Sequence, residues 1–255
     1  MAAEAPNHPS FPRPENPRAM LWRYMDLHKF VWMVRERRLF MPRLSLLETN
    51  DPMEGTTPPA ELAWWQPAAA NATTDEQRQR LLHNRQAMDG FVKMYRPHWY
   101  VSCWHMQEFE NYAMWRCFTS TPSAVAIHTT FEDLEECLPE YVQVGIVRYI
   151  DYRKDQLASL NLFEHIMHKR HHFSYEREVR AVISGLSLPE LGGDHIAFHS
   201  TATAYTPPID LHRLIRGIRL HPEASLDVLR SVEKLVADAN LPKPDISEMV
   251  MQAVK

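Results

Sequence analysis

The residues best placed to do chemistry sit in one charged run, Phe173-Ser174-Tyr175-Glu176-Arg177-Glu178-Val179-Arg180-Ala181-Val182-Ile183. Read as a strand, its side chains alternate between faces, so Val179, Ala181 and Ile183 share one face while Glu176, Glu178, Arg180 and Val182 share the other. Two carboxylates and a guanidinium then line up. Facing water, such a row is an ordinary ladder of alternating charge on a half-buried strand. Facing a cleft, like charges about 7 Å apart push one carboxyl pKa upward while Arg180 restrains the other, which makes an acid/base or cation-stabilising pair.

Three further groups carry suitable atoms. Arg23, within Leu21-Trp22-Arg23-Tyr24, is a guanidinium able to hold a phosphate bidentately, or else one stacked on Trp22 or Tyr24. Tyr100-Val101-Ser102-Cys103-Trp104-His105 ends a predicted strand with a hydroxyl, a thiol, an indole and an imidazole, as strand ends entering a site do. Cys103 and His105 point to the same face, but no acid orients the pair, and Cys103 is expected to be a buried inert thiol. His165, His168 and His172 fall at i, i+3 and i+7 of a predicted helix, as metal ligands or as a pH-responsive cationic patch for phosphate or RNA. Two helical turns are too long for all three to meet one ion, so no metal is expected.

The elements that must position these groups follow from pattern. Residues 1–18, rich in proline, read as a flexible or draped arm, residues 243–255 as a C-terminal tail, and residues 19–242 as one α+β domain with a mixed central sheet and flanking helices. Strands are predicted over 21–24, 39–41, 99–104, 124–128, 142–149, 174–183, 195–201 and 214–220, the central sheet holding those near Trp99, Val142, Ser174 and Leu214. Helices are predicted over 27–38, 75–94, 109–118, 130–138 behind a Thr130 capping box, 157–172, and from Pro222 onward. Asn50-Asp51-Pro52 reads as a turn, 56–74 as a long surface excursion and 186–193 as a loop.

Composition narrows the partners. The 255 residues are 45% apolar and carry a formal net charge of −4, which supports a sizeable core and no bulk basic field for nucleic acid. Cys103, Cys117 and Cys137 match neither a disulfide framework nor a zinc ribbon and fit a reducing compartment. With neither a signal-like amino terminus nor an apolar run able to cross a bilayer, a cytoplasmic protein without membrane partner is expected.

Taken in order, Arg23-Tyr24, Asn50-Asp51-Pro52-Met53-Glu54, Val101-Ser102-Cys103-Trp104, Met114-Trp115, Tyr175-Glu176-Arg177-Glu178-Val179-Arg180 and Leu214-Ile215-Arg216-Gly217-Ile218 resemble the bacterial family called domain of unknown function 2971. The sequence departs from that pattern in a Trp-containing insertion after Glu54 and in Arg116-Cys117-Phe118. The family name carries no activity. The succession of an early Arg beside aromatic residues, a Ser-bearing middle strand and a late Glu-x-Glu also resembles the arginine-serine-glutamate arrangement of ADP-ribosyltransferases. That resemblance implies NAD as a substrate, with Arg23 on its phosphates or ribose, Ser102 bracing the site, Glu178 stabilising the oxocarbenium as nicotinamide leaves, and Glu176 orienting the acceptor. Tyr24, Trp104, His105, Tyr175 and Arg180 complete the implied cofactor-binding set.

The function expected is thus an NAD-consuming ADP-ribosyltransferase or NAD glycohydrolase, serving as a bacterial toxin or antiviral defence effector with a protein or nucleic-acid acceptor. Two alternatives stay open. One is a nucleic-acid-acting effector such as a nuclease, using Glu176 and Glu178 with the histidine patch. The other is a noncatalytic ligand-sensing or partner-binding domain.

Overall fold

The computed structural model describes residues 8–49, 51–159, 161–185, 202–247 and 249. The predicted loop 186–193 and strand 195–201 lie outside the described residues, except for the strand's neighbour at 202. Strand β1 (Met20–Asp26) leads into helix α1 (Leu27–Glu36), which ends where Arg37 turns left-handed at φ 53°. Strand β2 is the short Met41–Pro42. A helical hairpin follows, α2 (Pro59–Ala70) and α3 (Asp75–Tyr95), and Thr74 caps α3 by accepting from the Gln77 N–H. The irregular excursion expected over 56–74 is therefore mostly helix. Proline is preorganised for a first helical turn, where its missing N–H has no partner to lose, and alanine is the strongest helix former.

Next come β3 (Trp99–Met106), α4 (Tyr112–Phe118), β4 (Ala124–Thr130) and α5 (Phe131–Glu136), the last capped through the Thr130 hydroxyl as its sequence predicts. The single strand expected over 142–149 is two, β5 (Gln143–Ile146) and β6 (Arg148–Ile150). The helix expected to reach His172 is only α6 (Leu162–Met167), succeeded by β7 (His168–Arg170) and a 3-10 turn over His171–Glu176. Then follow β8 (Glu178–Ser184), β9 (Ala204–Tyr205), α7 (Leu211–Leu214), β10 (Gly217–Leu220), α8 (Leu226–Asp238) and β11 (Asp245–Ile246).

Seven strands form a mixed central sheet in the order β11-β10-β4-β1-β3-β8-β5, flanked by helices in an α+β architecture. All neighbours are antiparallel except β10 and β11. The strands expected near Trp99, Val142, Ser174 and Leu214 are all in it, as β3, β5, β8 and β10. Alternation sorts the side chains. Leu21 and Met25, Tyr100 and Trp104, Val125 and Ile127, and Val179, Ala181 and Ile183 pack into the main core with Phe30, Met33, Val232 and Val236 of α1 and α8. On the opposite face Val101 and Val182 meet Phe11, Ile166 and Met167, while Trp22 and Tyr24 meet Met114 and Trp115 of α4.

The described part of the Pro-rich arm, residues 8–18, is draped along the β5 edge. The Ile146 N–H donates to the Pro12 carbonyl at 2.8 Å, and Arg13 grips Glu135 bidentately at 2.8 and 2.6 Å. Phe11 is buried against Gly145, where an added Cβ would lie 2.7 Å from the Phe11 Cα, so only glycine admits the arm so closely. At the other end, the segment expected as a C-terminal tail contributes β11 to the sheet. No described helix is long and apolar enough to cross a membrane. Phe11→Ala is expected to lower the unfolding free energy by about 3 kcal/mol, as truncating a buried aromatic does, and to shift the urea midpoint accordingly. An unchanged midpoint would show that the arm adds nothing.

Candidate functional site

The site arises where two neighbouring strands part. The β1–β3 ladder consists of Leu21 opposite Met106 and Trp22 opposite His105, and then stops. From there β1 stays with β4 as far as Asp26, whereas β3 stays with β8 as far as Trp99 opposite Ser184. A cleft of about 200 Å³ opens between them. Directly opposed residues in a ladder share a face, so Trp22, His105 and Glu178 lie on one face of the sheet and Ser102, with Ala181, on the other. Residues of both faces line the cleft, so it runs within the plane of the sheet.

Of the residues singled out by sequence, Arg23 and Tyr24 of β1 and Ser102, Trp104 and His105 of β3 line this cleft. Glu176 and Glu178 line it too. Two do not. Tyr175 is half exposed outside it, and Arg180 is wholly buried behind Glu178. The structure also corrects the strand reading: β8 begins at Glu178, because Arg177 turns left-handed at φ 40° and ψ 52°, so Glu176 ends the preceding turn and not the strand face. Alternation holds from Glu178 to Ile183, but the Glu178-Arg180-Val182 face is no solvated ladder, since all three are buried.

Charge organises that face. The Arg180 Nε and Nη2 donate to the two Glu178 oxygens at 2.7 and 3.0 Å, and Nη1 donates to the Ile166 carbonyl and lies 2.9 Å from Glu54. Lys169 of β7 reaches Glu176 at 2.6 Å, Glu54 at 3.4 Å and Glu178 at 3.5 Å. Arg170 pairs with Asp51 at 2.5 Å, pinning the turn that carries Glu54. Sequence reasoning missed Lys169 and gave Glu54 no role, although the Asn50–Glu54 block stood out as a motif. Nothing local marked Lys169, because it lay in a histidine-rich stretch with the period of a helix.

These contacts drive the two acids apart. Burial raises the Glu178 carboxyl, but Arg180 and Lys169 outweigh it and hold the group well below the usual range. Burial and the neighbouring Glu178 charge raise Glu176, with Lys169 only partly opposing them. Burial alone would lower Lys169, yet the surrounding carboxylates lift it above its ordinary value. Cys103, expected to be buried, is only partly so and lines the cleft, and burial and Glu178 push its thiol pKa up.

Across the cleft, Arg23 differs from these paired cations. Its guanidinium lies over the Trp104 ring at 5.6 Å and donates through Nη2 to the Phe40 carbonyl at 2.9 Å. Among the described residues no carboxylate pairs with it, and burial lowers it to about 10 with only the Cys103 sulfur opposing. The Trp104 indole N–H in turn donates to the Ser102 hydroxyl at 3.1 Å, so Ser102 fixes the ring on which Arg23 rests. His105 Nδ1 meets the Glu176 carbonyl at 2.6 Å. A carbonyl only accepts, so Nδ1 carries the proton and the buried Nε2, without a partner among the described residues, is left as an acceptor.

The histidine patch does not assemble. Helix α6 ends at Met167, so His165 and His168 are buried apart from the exposed His172, which stacks on His171 at 4.1 Å. Among the described residues no three His, Cys, Asp or Glu side chains are grouped to hold a metal ion. No family model matches the chain, and neither a curated protein nor a solved structure matches it significantly.

Arg180→Met removes the cation shared by Glu54 and Glu178 and is expected to cost about 3–5 kcal/mol, measured by denaturant unfolding. The acids respond to pH in opposite senses. Glu178, depressed, supplies stability present above its unfolded pKa and lost as pH falls below 4.5. Glu176, raised, supplies stability present below its unfolded pKa and lost as pH rises through its folded one. Relative to wild type, Glu176→Gln should therefore gain thermal stability between about pH 4 and pH 8. A difference that does not change with pH would contradict this assignment.

Proposed function

We propose that the cleft binds NAD and that the protein transfers or hydrolyses ADP-ribose, as an ADP-ribosyltransferase or NAD glycohydrolase. The observation that carries this reading is a guanidinium without a carboxylate partner among the described residues, Arg23, lining the same cleft as two carboxylates of divergent pKa, Glu178 and Glu176. A half-buried cation with no carboxylate partner among the described residues is available to an anionic phosphate. Pairs of acids whose environments separate their pKa values divide the acid and base roles between them.

In the proposed reaction the bond between ribose C1′ and the nicotinamide nitrogen breaks, its electron pair leaving with neutral nicotinamide. Positive charge then develops on the ribose beside Glu178. That carboxylate is ionised and fixed by the Arg180 fork, and it stabilises the oxocarbenium more than the ground state. Of the cluster's charged groups, the carboxylates Glu176 and Glu178 line the cleft, while Glu54, Lys169 and Arg180 stand behind them. Glu176 accepts the proton of the water or acceptor hydroxyl as the new C1′–O bond forms.

The free thiols of Cys103, Cys117 and Cys137 suit the cytoplasm as the proposed place of action, and a bacterial toxin or antiviral defence role follows from the sequence resemblance. Incubation with NAD, with and without cell extract, should release nicotinamide. Glu178→Gln should lower kcat about 100-fold or more, the scale of losing an electrostatic stabiliser of the transition state, while Arg23→Gln should raise KM. Absence of nicotinamide release from wild type in both conditions would sink the proposal.

A further inference from the structure

A cleft of about 200 Å³ is small for a dinucleotide, since sites for ligands of drug size usually span about 300–1,000 Å³. The missing room adjoins it. A second cavity, of about 420 Å³, shares Arg23, Met25 and Lys29 with the cleft. Beyond these shared residues and His28 its walls are apolar, built from Trp32 and Met33 of α1 and from Phe40. Trp32 and Phe40 meet edge to face at 5.7 Å and 88°, and Phe40 is 44% exposed, so an aromatic surface is presented outward.

The charges of this composite trough are segregated. Both acids of the cleft, Glu176 and Glu178, lie in the first lobe. Among the described residues no acid lines the second, whose polar residues are Arg23, Lys29 and His28. The nearest carboxylate in sequence, Asp26, accepts from the Ser120 N–H at 2.7 Å and the Ser120 hydroxyl at 3.2 Å, and it also lies 3.5 Å from Lys29. Lys29 remains 57% exposed on its side chain, and it lines both lobes with Arg23. Along the trough the carboxylates Glu176 and Glu178 lie in the first lobe, Arg23 and Lys29 line both, and Trp32 and Phe40 lie in the second.

We infer that the second lobe binds the purine base of the dinucleotide whose reacting ribose lies in the first, with the diphosphate that separates them held between Arg23 and Lys29. The inference rests on the reading of the cleft as an NAD site and adds where the adenylate half of that dinucleotide sits, so that ligands carrying the base and the diphosphate bind in preference to a nicotinamide mononucleotide or a sugar phosphate. Each part of such a ligand meets its complement. A flat base stacks on aromatic side chains, the phosphates face two cations that retain donor capacity, and the reacting ribose reaches the acids.

The test compares ADP-ribose, AMP and ribose 5-phosphate by isothermal titration against wild type, Phe40→Ala and Trp32→Ala. Thermal unfolding of each variant checks that it folds. Phe40→Ala keeps the backbone carbonyl on which Arg23 rests, and the exposed ring makes it the safer substitution. Wild type is expected to prefer ADP-ribose over ribose 5-phosphate by about tenfold or more, the scale of one base stacked on an aromatic side chain. Phe40→Ala should erase most of that preference without changing the affinity for ribose 5-phosphate. Equal binding of the two ligands to wild type, or equal losses for both in the variant, would overturn the inference. Binding of AMP that Phe40→Ala weakens, in a protein that releases no nicotinamide from NAD, would uphold the second lobe while refuting the catalytic reading. Failure of all three ligands to bind would refute both.

Discussion

A guanidinium with no exposed surface on a central strand dictates much of what surrounds it. Arg180 must satisfy its donors without water, and it does so with both Glu178 oxygens and the Ile166 carbonyl, while Glu54 lies 2.9 Å away as a second counter-charge. Those partners come from its own strand, from the end of α6 and from the turn after residue 50, so three distant stretches of chain are drawn together. Lys169 and the Asp51–Arg170 pair close the same cluster from β7. Buried ion networks are weak sources of net stability, because desolvation consumes most of the attraction, and an apolar set of similar volume often does as well. The cluster is better understood as a means of keeping Glu178 charged and fixed beside the cleft than as a means of holding the fold together.

The cleft itself follows from competition between strands for partners. β1 remains with β4 and β3 remains with β8 after the two have separated from one another, so the sheet opens along its plane with no break in its outer ladders. The opening puts residues of opposite faces on a common wall. Arg23 and Ser102 share a face with the main core and Glu178 does not, yet all three line one cavity. In an unbroken sheet they would be on opposite sides.

What the sequence made legible was local and periodic. The alternation of Val179, Ala181 and Ile183, the Thr130 cap and the apolar stripe of α8 each depend on neighbours along the chain, and each was readable. Glu176 was misplaced because a non-glycine residue, Arg177, adopts a left-handed backbone that no pattern of apolar residues signals. Lys169 was missed because a strand of three residues followed a short helix within a run of helical period. The 56–74 segment was read through its prolines, whose helix-starting role depends on position. Seven of the nine residues proposed for the site line the cleft. Arg180 serves it from behind, and Tyr175 lies outside because the turn over His171–Glu176 directs its ring away.

The left-handed residue between the two acids has a mechanical consequence. Glu178 belongs to a strand hydrogen-bonded on both sides, so the sheet fixes its backbone while the Arg180 fork holds its carboxylate. Glu176 ends a 3-10 turn, tied by its carbonyl to His105 and by its carboxylate to Lys169, and it can be displaced by re-forming that turn alone. One acid is therefore an anvil and the other a hinge-mounted arm. A molecule entering from the Glu176 side can be accommodated by yielding of the arm while the anvil stays in register with the strands.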